Sequence, residues 1–429
     1  MLIRFEMTNY RSVLDPAELS MIAVDQDRPE ARPAEMLGAS LLPVAAVFGP
    51  NASGKSNVIA AFAWIRDAVQ NSLRLWDHEI PIESFAFGDG PTRPSQFIVE
   101  LLIRDVRFEY ILEIDRDVVR YEGLFHYPEK KRRRIFEREG KEIKLQRGLG
   151  SLSGTRELLT DSTLALSVAR RSDEPLINDF ARQLIRWQIM GPAHRRPMFL
   201  GSAFRPASYA RSARWFEESP SRGQQTLFDV NFPGNNPGED RAQALALLKL
   251  ADLGIDDVLI DEEEAKIPGE NPRGSKRLRL VHRAADERIP LDFAAESEGT
   301  KTWFQIIGPV LTSLKFGSLL LFDELDASLH PTLSAQLVKL FHEPATNPHG
   351  AQLVFTTHDT NLLNHLNRDE VWLTEKGGSG ATRLGALAEF AGERVRKSKN
   401  LENAYLSGRF GALPDVDQTD LLRTLGLIG

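Results

Sequence analysis

The chain has no cysteine in its 429 residues, which excludes disulfides, thiolate nucleophiles and cysteine-ligated metal sites. No apolar run approaches the roughly 20 residues needed to cross a bilayer, so no membrane partner is expected. The opening Met1-Leu2-Ile3-Arg4-Phe5-Glu6-Met7 lacks the basic start and long apolar stretch of an export signal. A cytoplasmic location is the resulting expectation. There is no tandem repeat and no sustained heptad pattern from which a coiled coil could be built. Nor is there a surplus of positive charge: the formal net charge is −7, which argues against a surface coated for nucleic acid. What remains, 42% hydrophobic and 26% charged residues, is the composition of a soluble globular protein with room for two or three lobes.

Against those absences stands Gly49-Pro50-Asn51-Ala52-Ser53-Gly54-Lys55-Ser56, which fits the phosphate-cradling pattern G-x-x-x-x-G-K-S. The apolar run Pro43–Phe48 leads into it as a buried strand would, and good helix formers follow from Asn57 to Ile65. Strand, glycine loop and helix turn backbone N–H groups and a helix N-terminus toward a polyphosphate. The glycines are needed where a side chain would block close approach. Lys55 is expected to neutralise the β/γ-phosphates and the Ser56 hydroxyl to hold Mg²⁺. The bare pattern arises by chance in on the order of one chain in a hundred; with its flanks it predicts a nucleoside triphosphate site.

A second apolar run, Ser318–Phe322, ends in Asp323-Glu324. It suits a parallel strand buried on both faces with acids at its carboxyl end. Asp323 is placed to engage Mg²⁺ and Glu324 to orient the attacking water, the division of labour that phosphoryl transfer needs. A third run, Gln352–Phe355, ends at Thr356-Thr357-His358-Asp359, and His358 is expected to reach the γ-phosphate or the catalytic water. Upstream, Ser297-Glu298-Gly299-Thr300 precedes a helical segment and offers hydroxyls and free N–H groups to an anion; alone it reads equally as an N-cap.

Elsewhere Ile3, Phe5 and Met7 alternate with polar residues as in a strand, and Phe97–Ile103 and Phe108–Ile114 read as a hairpin turning at Arg104-Asp105. Residues Thr155 to Phe216 read mostly helical, and 218–240 and 266–276 are Pro/Gly-rich loops. Three basic clusters fall in the middle region: Lys130–Arg134; Arg182, Arg186, Arg195, Arg196, Arg205, Arg211 and Arg214; and Arg273, Lys276, Arg277 and Arg279. For any one run a solvated loop is the simpler account, but together they mark the best candidate for contact with a phosphate backbone or an acidic partner.

Taken in order, these blocks resemble the ABC-type ATPase head of RecF, SMC and OLD-family proteins. The Gly49–Asn57 stretch matches Walker A, Ser297–Thr300 the signature, Leu319–Glu324 Walker B, Asp326–His330 the D-loop and His358 the switch histidine. Asn9-Tyr10-Arg11-Ser12 is similar to the family's Asn-Phe-Arg-Ser segment, which implies that Arg11 approaches the nucleotide. The signature carries Glu298 where glycine is common and Thr300 where Gln or Glu is usual, and the D-loop ends in His330, departures that fit the RecF/OLD branch. Gln96, just before the strand from Phe97, is the one candidate for a Q-loop residue, and a solvent-exposed loop glutamine is the simpler reading of it. The tail segments Arg368–Lys376 and Tyr405–Pro414 are similar to stand-alone ATPases of abortive-infection and anti-phage operons.

The resemblance implies an α/β fold: an ABC-type P-loop head with a mixed central sheet, an antiparallel β subdomain and an inserted mainly helical lobe. It divides the chain into 1–125, the inserted lobe 126–284, and 285–429. It implies ATP and Mg²⁺ as cofactors, with Gly49, Pro50, Asn51, Ala52, Ser53, Gly54, Lys55, Ser56, Asn57, Arg11, Ser297, Gly299 and Thr300 at the nucleotide. Ser56 and Asp323 would hold the metal, and Glu324, His358 and Lys55 would carry the chemistry. The signature serine contacts ATP on the opposite subunit in that family, so a head-to-tail homodimer or higher oligomer is implied.

Two functions remain open. One is an ATPase that senses infection or damage and regulates a separately encoded nuclease or toxin, since the stretch after His358 is short and shows no acidic metal cluster of an OLD nuclease. The alternative is a RecF-like DNA-binding ATPase of repair or replication. A structural tether is disfavoured by the missing coiled coil, and transport by the missing membrane span.

Overall fold

The computed structural model describes residues 1–146, 155–192, 208–217, 237–251, 254–263, 275–284, 287–390 and 401–406. In chain order the strands are β1 (Leu2–Thr8), β2 (Ala17–Ser20), β3 (Arg32–Ala34), β4 (Ala39–Leu41), β5 (Val44–Phe48), β6 (Ser95–Ile103), β7 (Val106–Ile114), β8 (Val119–Tyr127) and β9 (Arg133–Glu139). They continue with β10 (Glu142–Leu145), β11 (Gln188–Met190), β12 (Ile255–Glu263), β13 (Ser275–Ala284), β14 (Glu287–Asp292), β15 (Leu319–Phe322), β16 (Gln352–Thr356), β17 (Val371–Lys376) and β18 (Thr382–Ala386). The longer helices are α1 (Lys55–Leu75), α2 (Pro175–Ile185), α3 (Pro237–Ala251), α4 (Glu298–Phe316) and α5 (Pro331–His342).

The continuous apolar runs form the central sheet, ordered β11-β15-β16-β5-β17-β18. All neighbours are parallel except the edge strand β18. Every residue of β5, β15 and β16 is buried, which is why these strands read as unbroken apolar runs rather than alternating ones. Successive side chains leave opposite faces. Ala45, Val47, Leu319, Leu321 and Val354 pack with α1, while Ala46, Phe48, Leu320, Phe322 and Phe355 pack with α4. The two helices thus cover opposite faces.

The alternating runs form an antiparallel sheet ordered β10-β9-β8-β7-β6-β1-β2, the β subdomain expected beside the nucleotide-binding sheet. In β1, Ile3, Phe5 and Met7 are buried and Arg4, Glu6 and Thr8 are half-buried. Ile103 faces Val106 across a two-residue turn, and both turn residues are left-handed, Arg104 at φ 48° and Asp105 at φ 59°. That geometry matches strand twist, here without the usual glycine. Helix α1 is sandwiched between the two sheets: Phe62 stacks on Phe5 at 3.8 Å and Trp64 on Phe97 at 4.8 Å. Gln96 lies inside β6, opposite Thr8 and Glu113, so the loop position expected for it is not what forms.

The described strands of 126–284 join the antiparallel sheet, the central sheet and a third sheet. The strand β8 runs across position 126, and β9 and β10 extend the same antiparallel sheet. The strand β11 joins the central sheet beside β15, and β12 and β13 pair on with β14, beyond position 284. Helix α3 packs on α4, where Trp303 Nε1 donates to the Leu247 carbonyl at 2.7 Å. In the first and third basic clusters the described arginines are ion-paired. Arg132 meets Glu109 at 2.9 Å and lies over the Phe125 ring, Arg134 meets Glu137 at 3.2 Å, and Arg277 and Arg279 pair with Asp292 and Asp261. Arg195, Arg196, Arg205 and Arg273, most of the loops at 218–240 and 266–276, and the tail beyond Leu406 lie outside the described residues.

Candidate functional site

Strand β5 ends at Phe48 and α1 begins at Lys55, so Gly49–Gly54 is a loop between a buried strand and a helix start. Gly54 caps the helix at φ 105° and supplies no side-chain acceptor, and no acid occupies the first turn. The helix start therefore keeps N–H groups and a positive dipole end for an anion. A Cβ on Gly54 would lie 2.2 Å from Thr382 Oγ1, and one on Gly49 would lie 2.3 Å from Thr374 Oγ1. Both glycines are thus required by close approach of β17 and β18 behind the loop.

That backing is a chain of hydroxyls. Ser53 Oγ meets Thr374 Oγ1 at 2.6 Å, and Thr374 Oγ1 also donates to the Phe48 carbonyl at 3.2 Å. Thr382 Oγ1 donates to the Ser53 carbonyl at 2.8 Å and meets Ser12 Oγ at 2.7 Å, to which Asn57 Nδ2 donates, also at 2.7 Å. In the Asn9–Ser12 segment it is Ser12 that reaches the loop and α1. Arg11 turns to Glu83 at 3.0 Å, and among the described residues no hydrogen bond joins it to 49–57. Sequence reasoning missed Ser12, Thr374 and Thr382, because nothing local marks two threonines on late strands as neighbours of the loop.

The Lys55 side chain is buried, and its Nζ donates to the Gly49 and Pro50 carbonyls, each at 2.9 Å. Burial holds its ammonium below the usual lysine range, opposed by Asp326, Asp323 and Glu324. The three acids act on it because β16 lies between the strands of Walker A and Walker B, bringing three strand ends together. Asp323 is 1% exposed, and its Oδ1 accepts from Thr356 Oγ1 at 2.8 Å. Glu324 follows in the left-handed region, φ 57° and ψ 62°, unusual for a non-glycine residue. Gly191, just after β11, abuts Asp323, where a Cβ would meet its carbonyl oxygen at 2.0 Å. His358 is exposed, and its backbone N–H donates to Asp326 Oδ1 at 3.1 Å, tying the switch to the D-loop.

The donor set fits Mg²⁺·ATP. Magnesium usually takes one or two carboxylates, a hydroxyl and phosphate oxygens rather than an all-protein cage. No cluster of three or more His, Asp or Glu side chains that could hold a metal ion occurs among the described residues.

The signature residues stand apart from this group. Ser297 is the N-cap of α4: its Oγ accepts from Thr300 N at 3.1 Å and meets Thr300 Oγ1 at 2.9 Å. Ser297 and Gly299 are exposed, Thr300 is buried, and no hydrogen bond links the three to 49–57 among the described residues. Helix α4, about 28 Å long, reverses at Gly317 into β15, about 13 Å long.

A family described as "AAA domain, putative AbiEii toxin, Type IV TA system" matches residues 44–364, well over half of the chain. The chain belongs to this family. With the loop and strand order above, its fold is that of an ABC-type P-loop ATPase head. Among solved structures, an SMC head bound to the C-winged helix domain of ScpA is 12% identical, with TM-score 0.42, over 90% of this chain and 97% of that one. The SMC head domain from Thermotoga maritima is 11% identical, with TM-score 0.40, over 90% and 98%. An SMC head with an extended coiled coil, bound to the C-terminal domain of ScpA derived from Pyrococcus furiosus, is 12% identical, with TM-score 0.38, over 90% and 97%. No curated protein matches. No helix among the described residues is long and apolar enough to cross a membrane.

Proposed function

We propose that the chain hydrolyses ATP and uses the nucleotide state to hold or release a separately encoded effector, a toxin or nuclease, in abortive-infection or anti-phage defence. The observation that carries the catalytic half is the convergence of Lys55, Asp323, Glu324, Asp326 and the His358 backbone at neighbouring strand ends. The family's description, which names a toxin system, supports the regulatory half.

Gly49 to Asn57 would wrap the phosphates, Lys55 would leave its loop carbonyls for the β/γ-phosphates, and Ser56 and Asp323 would hold Mg²⁺. The metal supplies charge neutralisation on the β- and γ-phosphate oxygens. Glu324 would orient a water for in-line attack on the γ-phosphorus: a water O–P bond forms, the bond to the β,γ-bridging oxygen breaks, and ADP and phosphate leave. His358 would hydrogen-bond the γ-phosphate. The exposed signature cap would complete the site of a second copy, Ser297, Gly299 and Thr300 reaching its triphosphate, so that ATP joins two heads and hydrolysis lets them part. Arg11 stays a weaker candidate, its guanidinium being held by Glu83. The DNA-binding alternative finds little support in the first and third basic clusters, whose described arginines are paired with acids.

Glu324→Gln is the test: it is expected to bind ATP, turn it over at least about 100-fold more slowly, and accumulate as a dimer in light scattering. Turnover at the wild-type rate would remove Glu324 from the catalytic role. Co-purification with products of neighbouring genes tests the regulatory half; recovery of the chain without a toxin or nuclease, together with tight duplex DNA binding, would favour repair.

A further inference from the structure

We propose that Thr356 is a positioning residue for magnesium-dependent hydrolysis, setting through one hydroxyl the orientation of both Walker B acids. The inference rests on the ATPase reading above and adds to it a residue that no motif names.

Strands β15 and β16 run parallel, with Phe322 opposite Phe355, so Asp323 and Thr356 emerge side by side at the same level. The Thr356 side chain is fully buried. Its Oγ1 donates to Asp323 Oδ1 at 2.8 Å and accepts from the Glu324 backbone N–H at 2.7 Å. A hydroxyl has a single proton. Once it is given to the carboxylate, the lone pairs point toward the Glu324 amide, and both bonds are satisfied together.

Each bond serves a different acid. The first fixes the rotation of the Asp323 carboxylate, the expected metal ligand. The second holds the Glu324 amide in a left-handed conformation that a non-glycine residue keeps only when its surroundings enforce it. That conformation decides where the Glu324 side chain leaves the backbone. A purely structural residue here would resemble Leu353, Val354 and Phe355, the apolar residues that precede it on a fully buried strand. A buried hydroxyl is costly unless it is used. This one is used twice, and both times on the catalytic dipeptide.

Thr356→Val removes the hydroxyl at nearly constant volume, and Thr356→Ser keeps it. The readouts are Mn²⁺ binding to the ADP-loaded protein by electron paramagnetic resonance, ADP binding in chelator, and Mg²⁺-dependent turnover. Thr356→Val is expected to weaken Mn²⁺ binding about tenfold and to slow turnover by about tenfold or more, while metal-free ADP affinity stays within about twofold. Thr356→Ser is expected within about threefold of wild type throughout. If Thr356→Val does not fold, Thr356→Ala carries the same measurements. Wild-type Mn²⁺ affinity and turnover in the hydroxyl-free variant would overturn the positioning role and leave the ATPase reading intact. A wild-type protein that binds neither ADP nor ATP would overturn the ATPase reading, and the role of Thr356 with it.

Discussion

At the scale of single residues, the glycines of the phosphate loop are under two separate constraints. Gly54→Ala would force alanine to φ 105° and drive its Cβ into Thr382. A strained backbone of this kind costs about 1–3 kcal/mol before the collision is counted. The variant is expected to lose stability in urea unfolding, and Thr382→Ala should restore only part of that loss, since it relieves the collision but not the dihedral. Lys55→Ala should weaken ATP binding by about 100-fold or more, because contacts to charged groups carry about 1.5–3 kcal/mol each and Lys55 would make several. Isothermal titration would measure this, and near-wild-type affinity would contradict the loop assignment. At this scale Lys55, Asp323, Glu324 and His358 were all chosen from short motifs, and the fold brings their segments to neighbouring strand ends of the candidate site. Ser12, Thr374 and Thr382 were not readable, because their role depends on strands more than 300 positions from the loop they brace.

Between elements, polar ties do what the apolar core cannot, which is to specify register. The loop before β3 is held to the start of β17 by Arg28, whose guanidinium pairs with Asp369 at 2.9 Å and lies 3.5 Å from Glu370. The side chains of all three are nearly or fully buried, and His342 at the end of α5 meets Glu370 at 3.0 Å. Removing one partner from a buried ionic group typically costs about 3–5 kcal/mol, because the remaining charge is left uncompensated. Arg28→Met should therefore lower the unfolding midpoint markedly, whereas Arg277→Met, on an exposed pair, should change stability by less than about 1 kcal/mol. Parallel denaturation curves of the two variants would check the contrast. In the central sheet β5, β15 and β16 were legible from their unbroken apolar runs, and the β6–β7 hairpin was legible from its spacing. Strands β9, β10 and β11 were not, because pairing partners decide them: Gln188–Met190 is three residues long and becomes a strand by lying beside β15.

For the whole molecule, the decisive arrangement is the exposed start of α4. Ser297→Arg should leave ATP binding by the isolated chain unchanged, while abolishing ATP-dependent dimers in light scattering and slowing hydrolysis about 100-fold or more. Dimers that persist in this variant would rule out a site shared between two copies. The segment 126–284 read in sequence as an inserted basic and helical lobe; its described strands pair into the antiparallel sheet, the central sheet and the β12–β13–β14 sheet. The hydroxyl chain behind the phosphate loop carries a further consequence. It joins the amino-terminal arm through Ser12, the loop through Ser53, and the β17–β18 ribbon through Thr374 and Thr382. Filling the pocket should therefore slow amide deuteration in all three stretches at once, so that a single nucleotide stiffens both extremities of the described chain together.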